Sequence, residues 1–539
     1  MTWKCLILAA LLLQVGPQEK ASLTGIVLKM GTSDPLSKAT VTLSPFNGGR
    51  ARSYTATTSS NGQFVFQNVD PGRYRLAVTR NGFIRTEYGA RTPNQTGLAL
   101  TLNPDQRLPD IVLQMMPAGV IAGRVFDRDG EPLPNVTVEA LKYAYQEGHR
   151  VMRVVQTART NDLGEYRLFW FQPGQYFVSA VPESRRRPGN PSDEPPSEDY
   201  IPAYYPGTTD PQSAAPINLP AGVVFSGVDV TVASLPTVNV QGQLINGVTG
   251  QPVRNARITL FPFASTPILR NRPNFPTTID DQGRFQIRAV VPGRYELAAN
   301  LNDRTSRMTA RMVLEIGNAD VRNVALVLSP GYTLTGTVTI EGAASNENQL
   351  PQMRVMLRAD ADQSEFPNPA APVTTKGTFN LQEVGRDDYR LTVSGMPQNA
   401  YIKTARYGST DVLNQGLRLD RPPNGSLDIV VSTNTGTATG VVQNDKQEPS
   451  SGVTVVLIPD APKRDRLDLY RVTTTDAMGI FHLEGVPPGD YKAFSWEDIE
   501  TGAWQDPDFI RDFENRGKPV RIEENGTVNI ELKVIPSQA

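Results

Sequence analysis

The chain has 539 residues, which is too long for one hydrophobic core, so several domains are expected. Apolar residues make up 39%, charged residues 20%, and Gly and Pro contribute 44 each, a balance that favours strand-and-turn domains over helical ones. The net charge is −2, and the sequence contains no basic stripe that would bind nucleic acid and no polybasic patch that would bind a membrane. We therefore expect no nucleic-acid partner.

The first 21 residues differ from the rest of the chain. Met1–Lys4 carries one positive charge, and Cys5–Leu13 is an apolar run of nine residues. This is the layout of a secretory signal peptide, and the run is too short to span a bilayer stably. We predict a signal peptide over residues 1–21 and a secreted, periplasmic or cell-surface mature chain without a transmembrane segment; the alternative is an uncleaved N-terminal helix.

Five segments of the chain open with a glycine and a short apolar strand. The glycines are 98, 119, 94 and 104 residues apart, and they are Gly25, Gly123, Gly242, Gly336 and Gly440. A period of this size exceeds the 20–50 residues that mark solenoids and propellers. Each repeat is long enough, with about seven strands, to close its own sandwich. The pattern predicts a string of independent β-sandwich domains.

The predicted fold class is therefore all-β, with five tandem seven-stranded β-sandwiches after the signal peptide. Their predicted limits are sandwich 1 (22–116), sandwich 2 (117–235, with a Pro-rich insert at 182–216), sandwich 3 (236–330), a degenerate sandwich 4 (331–433) and sandwich 5 (434–539).

One strand–turn–strand unit recurs in each sandwich. In sandwich 5 it contains Gly479, Phe481, Pro488-Gly489 and Tyr491. Gly479 is expected to close a hairpin with a positive φ, Phe481 to face the core, and Pro488-Gly489 to form a type II turn. The tyrosine is expected to bury its ring and return its hydroxyl to the backbone, rather than to stack on a sugar. In sandwich 4, Arg386-Asp387 replaces the Pro-Gly pair.

These motifs resemble the carboxypeptidase regulatory-like domain family, a transthyretin-like or prealbumin-like sandwich related to Cna-B-type domains. The matching pieces are the opening G-x-V, the D-x-x-G-x-F turn, the P-G-x-Y turn and a G-x-P-L-x-x-V-x-V stretch (Gly130, Pro132, Val136 and Val138). The resemblance covers four repeats well and residues 336–431 poorly. It implies an Ig-like or prealbumin-like fold in a bacterial, secreted setting. Because the fold is also grouped with carbohydrate-binding-like sandwiches, it implies carbohydrate binding by analogy.

Sugar binding requires exposed aromatic rings beside hydrogen-bonding groups. Two segments that do not repeat contain such rings: the Pro-rich insert and residues 496–513. The predicted ligand-binding residues are Tyr200, Tyr204, Tyr205, Trp496 and Trp504. In both segments the alternative is that the rings pack on their own sandwich. In the second segment, Asp506-Pro507 predicts the start of a short helix, with Phe509 and Phe513 on one face.

The sequence contains few residues suited to catalysis or metal binding. Cys5 is the only cysteine, so a processed chain has no disulfide and no Cys nucleophile. The two histidines, His149 and His482, lie in different repeats and are too few for a His-based zinc site. Neither an H-E-x-x-H, a G-x-S-x-G nor a P-loop sequence is present. We expect no catalytic residue, no metal site, no cofactor and no enzymatic activity.

The sequence thus predicts a non-catalytic secreted or cell-envelope multidomain binding or spacer protein, most concretely one that binds carbohydrate. The expected partner is a polysaccharide or an envelope protein. The alternative is a protein–protein adaptor or structural stalk of the bacterial envelope that uses exposed sheet edges for strand addition.

Overall fold

The computed structural model describes residues 20–46, 52–90, 97–182, 198–262, 275, 277–302, 307–342, 347–359 and 368–537. The predicted signal peptide, apart from its last two residues, lies outside these ranges, as do residues 183–197 of the Pro-rich insert. Strands account for 58% and helices for 6%, which confirms the all-β class. None of the helices in the described ranges is long and apolar enough to cross a bilayer.

Sandwich 1 consists of two sheets that enclose one core. Its strands are β1 (Ala21–Lys29), β2 (Thr40–Pro45), β3 (Tyr54–Thr57), β4 (Gln63–Val69), β5 (Gly72–Thr79), β6 (Thr86–Glu87), β7 (Leu100–Leu102) and β8 (Arg107–Met115). The first sheet has the order β4-β1-β8, and the second has the order β3-β2-β5-β6 with β7 beside β5. Leu23 and Phe64 of the first sheet pack with Leu43 and Leu76 of the second. Alternate residues of each strand therefore face inward.

Sandwich 2 repeats this plan with additional short strands. They are β9 (Gly119–Phe126), β10 (Thr137–Gln146), β11 (His149–Arg159), β12 (Glu165–Phe171), β13 (Gly174–Val181), β14 (Glu198–Ile201), β15 (Ala203–Tyr204), β16 (Ile217–Leu219), β17 (Val224–Phe225), β18 (Val230–Thr231) and β19 (Ala233–Pro236), with a 3-10 helix at Pro211–Ser213. The sheets are β12-β9-β17 with β18 beside β9, β11-β10-β13-β15 with β16 beside β13, and the pair β14-β19. The closing strand is thus split into β17 and β18, both parallel to β9.

Sandwich 3 joins its two layers through one continuous hydrogen-bonded path. Its strands are β20 (Val238–Asn246), β21 (Arg257–Pro262), β22 (Thr277–Ile279), β23 (Arg284–Val290), β24 (Gly293–Asn302), β25 (Arg307–Ile316) and β26 (Val321–Pro330). Their order is β21-β24-β25-β26-β20-β23-β22. The long strand β25 pairs with β24 over ten residues and with β26 at Met308 and Thr309, so it links the layers.

Sandwich 4 keeps the two-sheet plan despite its degenerate sequence. Its elements are β27 (Tyr332–Glu341), a 3-10 helix (Glu347–Gln352), β28 (Arg354–Ala359), β29 (Ala370–Pro372), β30 (Thr378–Val384), β31 (Asp387–Ser394), β32 (Tyr401–Tyr407), β33 (Thr410–Asp411), α1 (Val412–Gln415), β34 (Leu417–Leu419) and β35 (Leu427–Ser432). The sheets are β30-β27-β35-β32-β33 and β29-β28-β31-β34.

Sandwich 5 ends the chain and carries most of the helical residues. Its elements are β36 (Gly436–Gln443), β37 (Thr454–Pro459), 3-10 helices at Ala461–Lys463 and Leu467–Leu469, β38 (Arg471–Thr474), β39 (Ile480–Val486), β40 (Gly489–Trp496), a 3-10 helix (Ala503–Gln505), α2 (Pro507–Arg511), a 3-10 helix (Glu514–Arg516), β41 (Lys518–Ile522) and β42 (Thr527–Lys533). The sheets are β39-β36-β42 and β38-β37-β40-β41. Among the residues that the structure describes, sandwiches 3 and 5 have the predicted seven strands, and short extra strands raise the number in the others.

The opening glycine of each repeat lies where a side chain would collide with the neighbouring strands. A Cβ on Gly440 would lie 1.8 Å from the carbonyl oxygen of Ile530 and 2.8 Å from the ring of Phe481. The same relation holds for Gly25, Gly242 and Gly336, each beneath a phenylalanine ring. The recurrence of this glycine is therefore a packing requirement of the sandwich.

The tyrosine of the repeated unit forms the predicted hydrogen bond to the backbone. Each hydroxyl donates to the carbonyl oxygen four residues earlier, over 2.8–3.0 Å, and the tyrosines are Tyr74, Tyr176, Tyr295, Tyr389 and Tyr491. Sandwich 4 makes this bond although it has lost the Pro-Gly pair. The interpretation of the tyrosine as a packing residue is therefore confirmed in all five sandwiches.

By Cα proximity the chain divides into two compact units. Unit 1 contains Met1–Leu141, Val154–Val181 and Ala203–Val232, and unit 2 contains Lys142–Arg153, Pro182–Pro202 and Ala233–Ala539. The five sets of sheets follow one another along the chain. The residue limits predicted for the sandwiches stay predictions.

Candidate functional site

The aromatic residues near the C-terminus are buried between the outer face of β37 and β40 and the helical segment of sandwich 5. Trp496 is 2% exposed and Trp504 is 8% exposed. The Trp496 ring stacks on Phe494 with centroids 5.2 Å apart, and Phe513 meets it edge-on at 5.9 Å. A ring that is covered on its faces offers no surface on which a sugar can stack. The burial supports the packing alternative for both tryptophans, and a binding role for them stays a prediction.

The short helix α2 begins as the sequence predicts. The Asp506 carboxylate accepts hydrogen bonds from the backbone N–H groups of Asp508 (2.8 Å) and Phe509 (3.2 Å), and Pro507 is the first helical residue. The rings of Phe509 and Phe513 lie on one face with centroids 5.0 Å apart. This helix covers the outer face of the second sheet of sandwich 5, so its aromatic face contributes to a second hydrophobic cluster beside the core.

The three tyrosines of the insert are not presented together as exposed rings. Tyr200 lies in β14, within unit 2, and is buried. Tyr204 lies in β15, within unit 1, and is fully buried, whereas Tyr205 is half-buried. As for the tryptophans, the burial of Tyr200 and Tyr204 supports packing, and ligand binding by these residues stays a prediction.

The histidines lie on the surface. His149 begins β11 and is exposed, and the His482 ring forms a 2.9 Å hydrogen bond with Glu484 at an exposed position of β39. In the part of the chain that the structure describes, no three or more His, Cys, Asp or Glu residues are grouped so as to hold a metal ion.

Sandwich 2 contains an exposed aromatic pair that the sequence analysis did not identify as a candidate site. Phe169 and Trp170, at the end of β12, are 44% and 56% exposed, and their rings form an edge-to-face pair with centroids 4.9 Å apart. Trp170 is the extra residue of a β-bulge, since its neighbours Phe169 and Phe171 pair with consecutive residues of β9. Its φ is 69°, in the left-handed region.

The other four sandwiches contain the same bulge with a different residue. Its left-handed position is occupied by Asn68, Ala289, Glu383 and Gly485, with φ between 55° and 67°. The signal that could have revealed Trp170 was therefore present in the sequence. Aligning the repeats by their tyrosines places a tryptophan where the other copies have small or polar residues.

Trp170 borders a cavity of about 800 Å³ within unit 1. Sandwich 2 contributes Trp170 and Gln172 to its lining, and sandwich 1 contributes polar, cationic and apolar side chains, among them Lys38, Thr40, Arg80, Asn81 and Arg85. No carboxylate belongs to the described lining. An exposed indole thus lies beside amide, hydroxyl and cationic groups.

A buried ion network joins sandwich 3 to sandwich 4 within unit 2. The Arg311 guanidinium contacts the Glu296 carboxylate at 2.9 Å and also donates to Asp387, and all three side chains are mostly buried. Burial raises the pKa of the Glu296 and Asp387 carboxyls, against the opposing effect of Arg311. Asp387 stands where the other four copies have the glycine of the Pro-Gly pair. The substitution that makes sandwich 4 differ from the repeat pattern therefore supplies one carboxylate of this network.

A second ion network joins sandwich 4 to sandwich 5. The Lys403 ammonium lies 2.8 Å from a Glu341 oxygen and 3.0 Å from a Glu524 oxygen. Hydrogen bonds to Glu341 and then to Glu524 raise the pKa of Lys403. One cation thus connects a strand end of sandwich 4 with a turn of sandwich 5.

Two segments of the chain match a known family. Residues 22–114 and 239–327, within sandwiches 1 and 3, match the model of the carboxypeptidase regulatory-like domain. This confirms the resemblance inferred from the motifs. No curated protein sequence is significantly similar to the chain.

Solved structures that align with parts of the chain include the Bacillus anthracis TIE protein and bacterial pilins. The Bacillus anthracis TIE protein aligns with 58% of this chain and 51% of its own, at 13% identity and a TM-score of 0.17, so the chain spans about half of that protein. A streptococcal ancillary pilin aligns over 58% of this chain and 100% of its own (14% identity, TM-score 0.24). The major pilin subunit BcpA of Bacillus cereus has the same coverages (10% identity, TM-score 0.15).

Proposed function

We propose that this chain, with its carboxypeptidase regulatory-like domains, is a non-catalytic secreted or cell-envelope protein that spaces and presents binding surfaces. The observation that carries the proposal is the pair of ion networks that join successive sandwiches within unit 2. Glu296, Arg311 and Asp387 form one, and Glu341, Lys403 and Glu524 form the other. A tandem array needs such joints if its domains are to keep fixed relative positions, whereas independent domains on flexible linkers do not.

Within this function, the proposed ligand is a carbohydrate. The exposed indole of Trp170 beside Gln172, Thr40 and Asn81 supports this choice, because sugar recognition combines an aromatic face with a few placed polar groups. The alternative is a protein–protein adaptor or envelope stalk. Strand edges that have no partner among the described residues, such as that of β22 at the end of its sheet, support it.

Affinity electrophoresis of the purified full chain through gels that contain soluble polysaccharides tests the proposal. Retardation by at least one polysaccharide, relative to a gel without polymer, is the expected result. If no polymer retards the chain and an envelope protein of defined sequence binds it instead, the carbohydrate ligand is wrong and the adaptor function is supported. Turnover of any of these polymers by the purified chain would overturn the non-catalytic assignment.

A further inference from the structure

The backbone of sandwich 2 is strained at Trp170. A bulky residue with φ near 69° is an outlier, and such conformations are unfavourable by roughly 1–3 kcal/mol. The ring is 56% exposed, so burial recovers little of this cost. Asn68 and Gly485, which tolerate this φ, occupy the equivalent bulges of sandwiches 1 and 5, but Ala289 and Glu383 occupy those of sandwiches 3 and 4, so the positive φ belongs to the bulge itself. What distinguishes sandwich 2 is the large exposed ring at this position, where the other copies have small or polar residues, and an exposed ring of this kind is available to a ligand.

The cavity beside Trp170 has the size and chemistry of a ligand site. Its volume of about 800 Å³ lies within the range of small-molecule pockets, roughly 300–1,000 Å³. The indole supplies an apolar face, while Gln172, Thr40 and Asn81 in the lining supply amide and hydroxyl groups. These groups match the two sides of a pyranose ring, whose C–H face is apolar and whose edge carries hydroxyls.

The charge of the cavity is positive. Lys38, Arg80 and Arg85 line it, and Arg85 is neutralised by Glu87 at 2.7 Å. No described carboxylate forms an ion pair with Lys38 or Arg80, and the Arg80 guanidinium lies over the Phe83 ring, 5.0 Å from its centroid. Two cations that have no carboxylate partner among the described residues favour a ligand with negative charge.

We infer that this cavity, between sandwiches 1 and 2, binds an acidic polysaccharide, with Trp170 stacking on a sugar ring and Lys38 and Arg80 pairing with its anionic groups. The inference rests on the carbohydrate part of the proposed function and names the site and the ligand class. A protein partner fits the cavity less well, because a stable protein interface needs a contiguous apolar centre in a patch of about 800 Å² per partner. Here the apolar side chains of Trp170, Phe83 and Ile84 are interspersed with polar and cationic ones and form no such centre.

The test uses the full chain in affinity electrophoresis and isothermal calorimetry with four probes: alginate, chondroitin sulfate, dextran and poly-glutamate. Alginate carries carboxylates and chondroitin sulfate also carries sulfates, dextran is neutral, and poly-glutamate is a polyanion without sugar rings. We expect binding of alginate or chondroitin sulfate at least tenfold tighter than of dextran and of poly-glutamate.

The decisive variant is Trp170→Asn, which introduces the residue that sandwich 1 has at this bulge. It is expected to weaken binding of the acidic polymer at least tenfold while thermal stability stays equal or rises, because asparagine tolerates φ near 69°.

The double variant Lys38→Gln and Arg80→Gln should weaken binding and reduce its dependence on salt. Leu163→Ala removes an equally exposed apolar side chain of sandwich 2 outside the cavity lining, and it should leave binding unchanged.

Each remaining outcome overturns the inference. If acidic polymers bind and Trp170→Asn binds them as the wild type does, the site is elsewhere and the proposed function stands. If dextran binds as tightly as alginate and chondroitin sulfate, the ligand does not need negative charge. If poly-glutamate binds as tightly, the ligand does not need a sugar ring. Failure of every polysaccharide to bind overturns the carbohydrate part of the proposed function together with this site. Loss of a protein partner in Trp170→Asn, with polysaccharide binding unchanged, assigns the surface to the adaptor function.

Discussion

The opening glycines show how a single missing side chain organises a sandwich. Gly440 lets β36 approach β42 closely and lets the Phe481 ring lie across it. In Gly440→Ala the added Cβ would meet the Ile530 carbonyl oxygen, which belongs to the backbone and cannot rotate away. We expect a loss of about 3 kcal/mol in the free energy of unfolding, measured by chemical denaturation with tryptophan fluorescence.

Gly452→Ala is the matched control for this prediction. Gly452 has φ 69° and no atom within 4 Å of an added Cβ, so only backbone strain opposes the substitution. The expected loss is about 1 kcal/mol. If the two variants lose the same free energy of unfolding, backbone strain, and not the close approach of the strands, explains why glycine is required at the opening position.

Residue patterns predicted the interior of each sandwich better than its turns. The glycine, the aromatic residue and the tyrosine of the repeated unit lie as expected because each satisfies a local packing or φ requirement. The predicted type II turn at Pro-Gly was wrong. Gly293 has φ 158° instead of the roughly +80° of that turn, because it is already the first residue of β24, paired with Ile316.

At the scale of elements, ion pairs fix the helical segment of sandwich 5 to its sheet. Glu514, after α2, receives the Arg464 guanidinium at 2.9 and 3.0 Å and the Lys492 ammonium at 2.6 Å. The hydrogen bond from Arg464, and then that from Lys492, lower the pKa of Glu514 below its ordinary 4.5. Because the folded pKa is lower than the unfolded one, this stabilisation is complete above pH 4.5 and is lost as the pH falls through the folded pKa.

We therefore predict that Glu514→Gln reduces the stability of sandwich 5 at pH 7 by about 1 kcal/mol or less and that this difference disappears below the folded pKa. Urea unfolding at several pH values, followed by tryptophan fluorescence, measures the difference. The control is Glu523→Gln, since Glu523 is exposed and forms no ion pair in the described structure. A Glu514→Gln difference that persists unchanged into acid would contradict an electrostatic origin.

The elements themselves were predictable where local chemistry sets them. Asp506 and Pro507 specify the start of α2 by capping, and Phe509 and Phe513 share a face because they are four residues apart. The burial of Trp496 and Trp504 was not predictable, since exposure depends on how the helical segment lies on β37 and β40. The sequence pattern offered binding and packing as alternatives, and it did not single out Trp170.

At the scale of the molecule, stability depends on the joints between sandwiches. Arg311 and Asp387 are 76 positions apart, so no local pattern could pair them. Arg311→Met leaves Glu296 and Asp387 as mostly buried carboxylates of like charge. We expect a loss of about 2–3 kcal/mol and, in calorimetry of the full chain, separation of the unfolding of sandwich 3 from that of sandwich 4.

The pH dependence of this variant follows from the raised pKa values. Below the pKa of Glu296 and Asp387 both carboxyls are neutral, so the destabilisation should shrink as the pH falls. Arg294→Met, which removes an exposed pair with Glu315 in the same sandwich, should change stability far less. An unfolding profile of Arg311→Met that matches the wild type would show that the network does not couple the two sandwiches.

The pairing of first and last strands has a mechanical consequence. In sandwich 1, β1 runs parallel to β8, from Ser22 beside Arg107 to Lys29 beside Met115, and in sandwich 5 β36 runs parallel to β42. The chain therefore enters each of these sandwiches at one end of the pair and leaves at the other. A pulling force along the chain shears all the hydrogen bonds between the two strands together, instead of opening them one after another. Sandwiches loaded in this way resist extension collectively, because no single hydrogen bond carries the force alone.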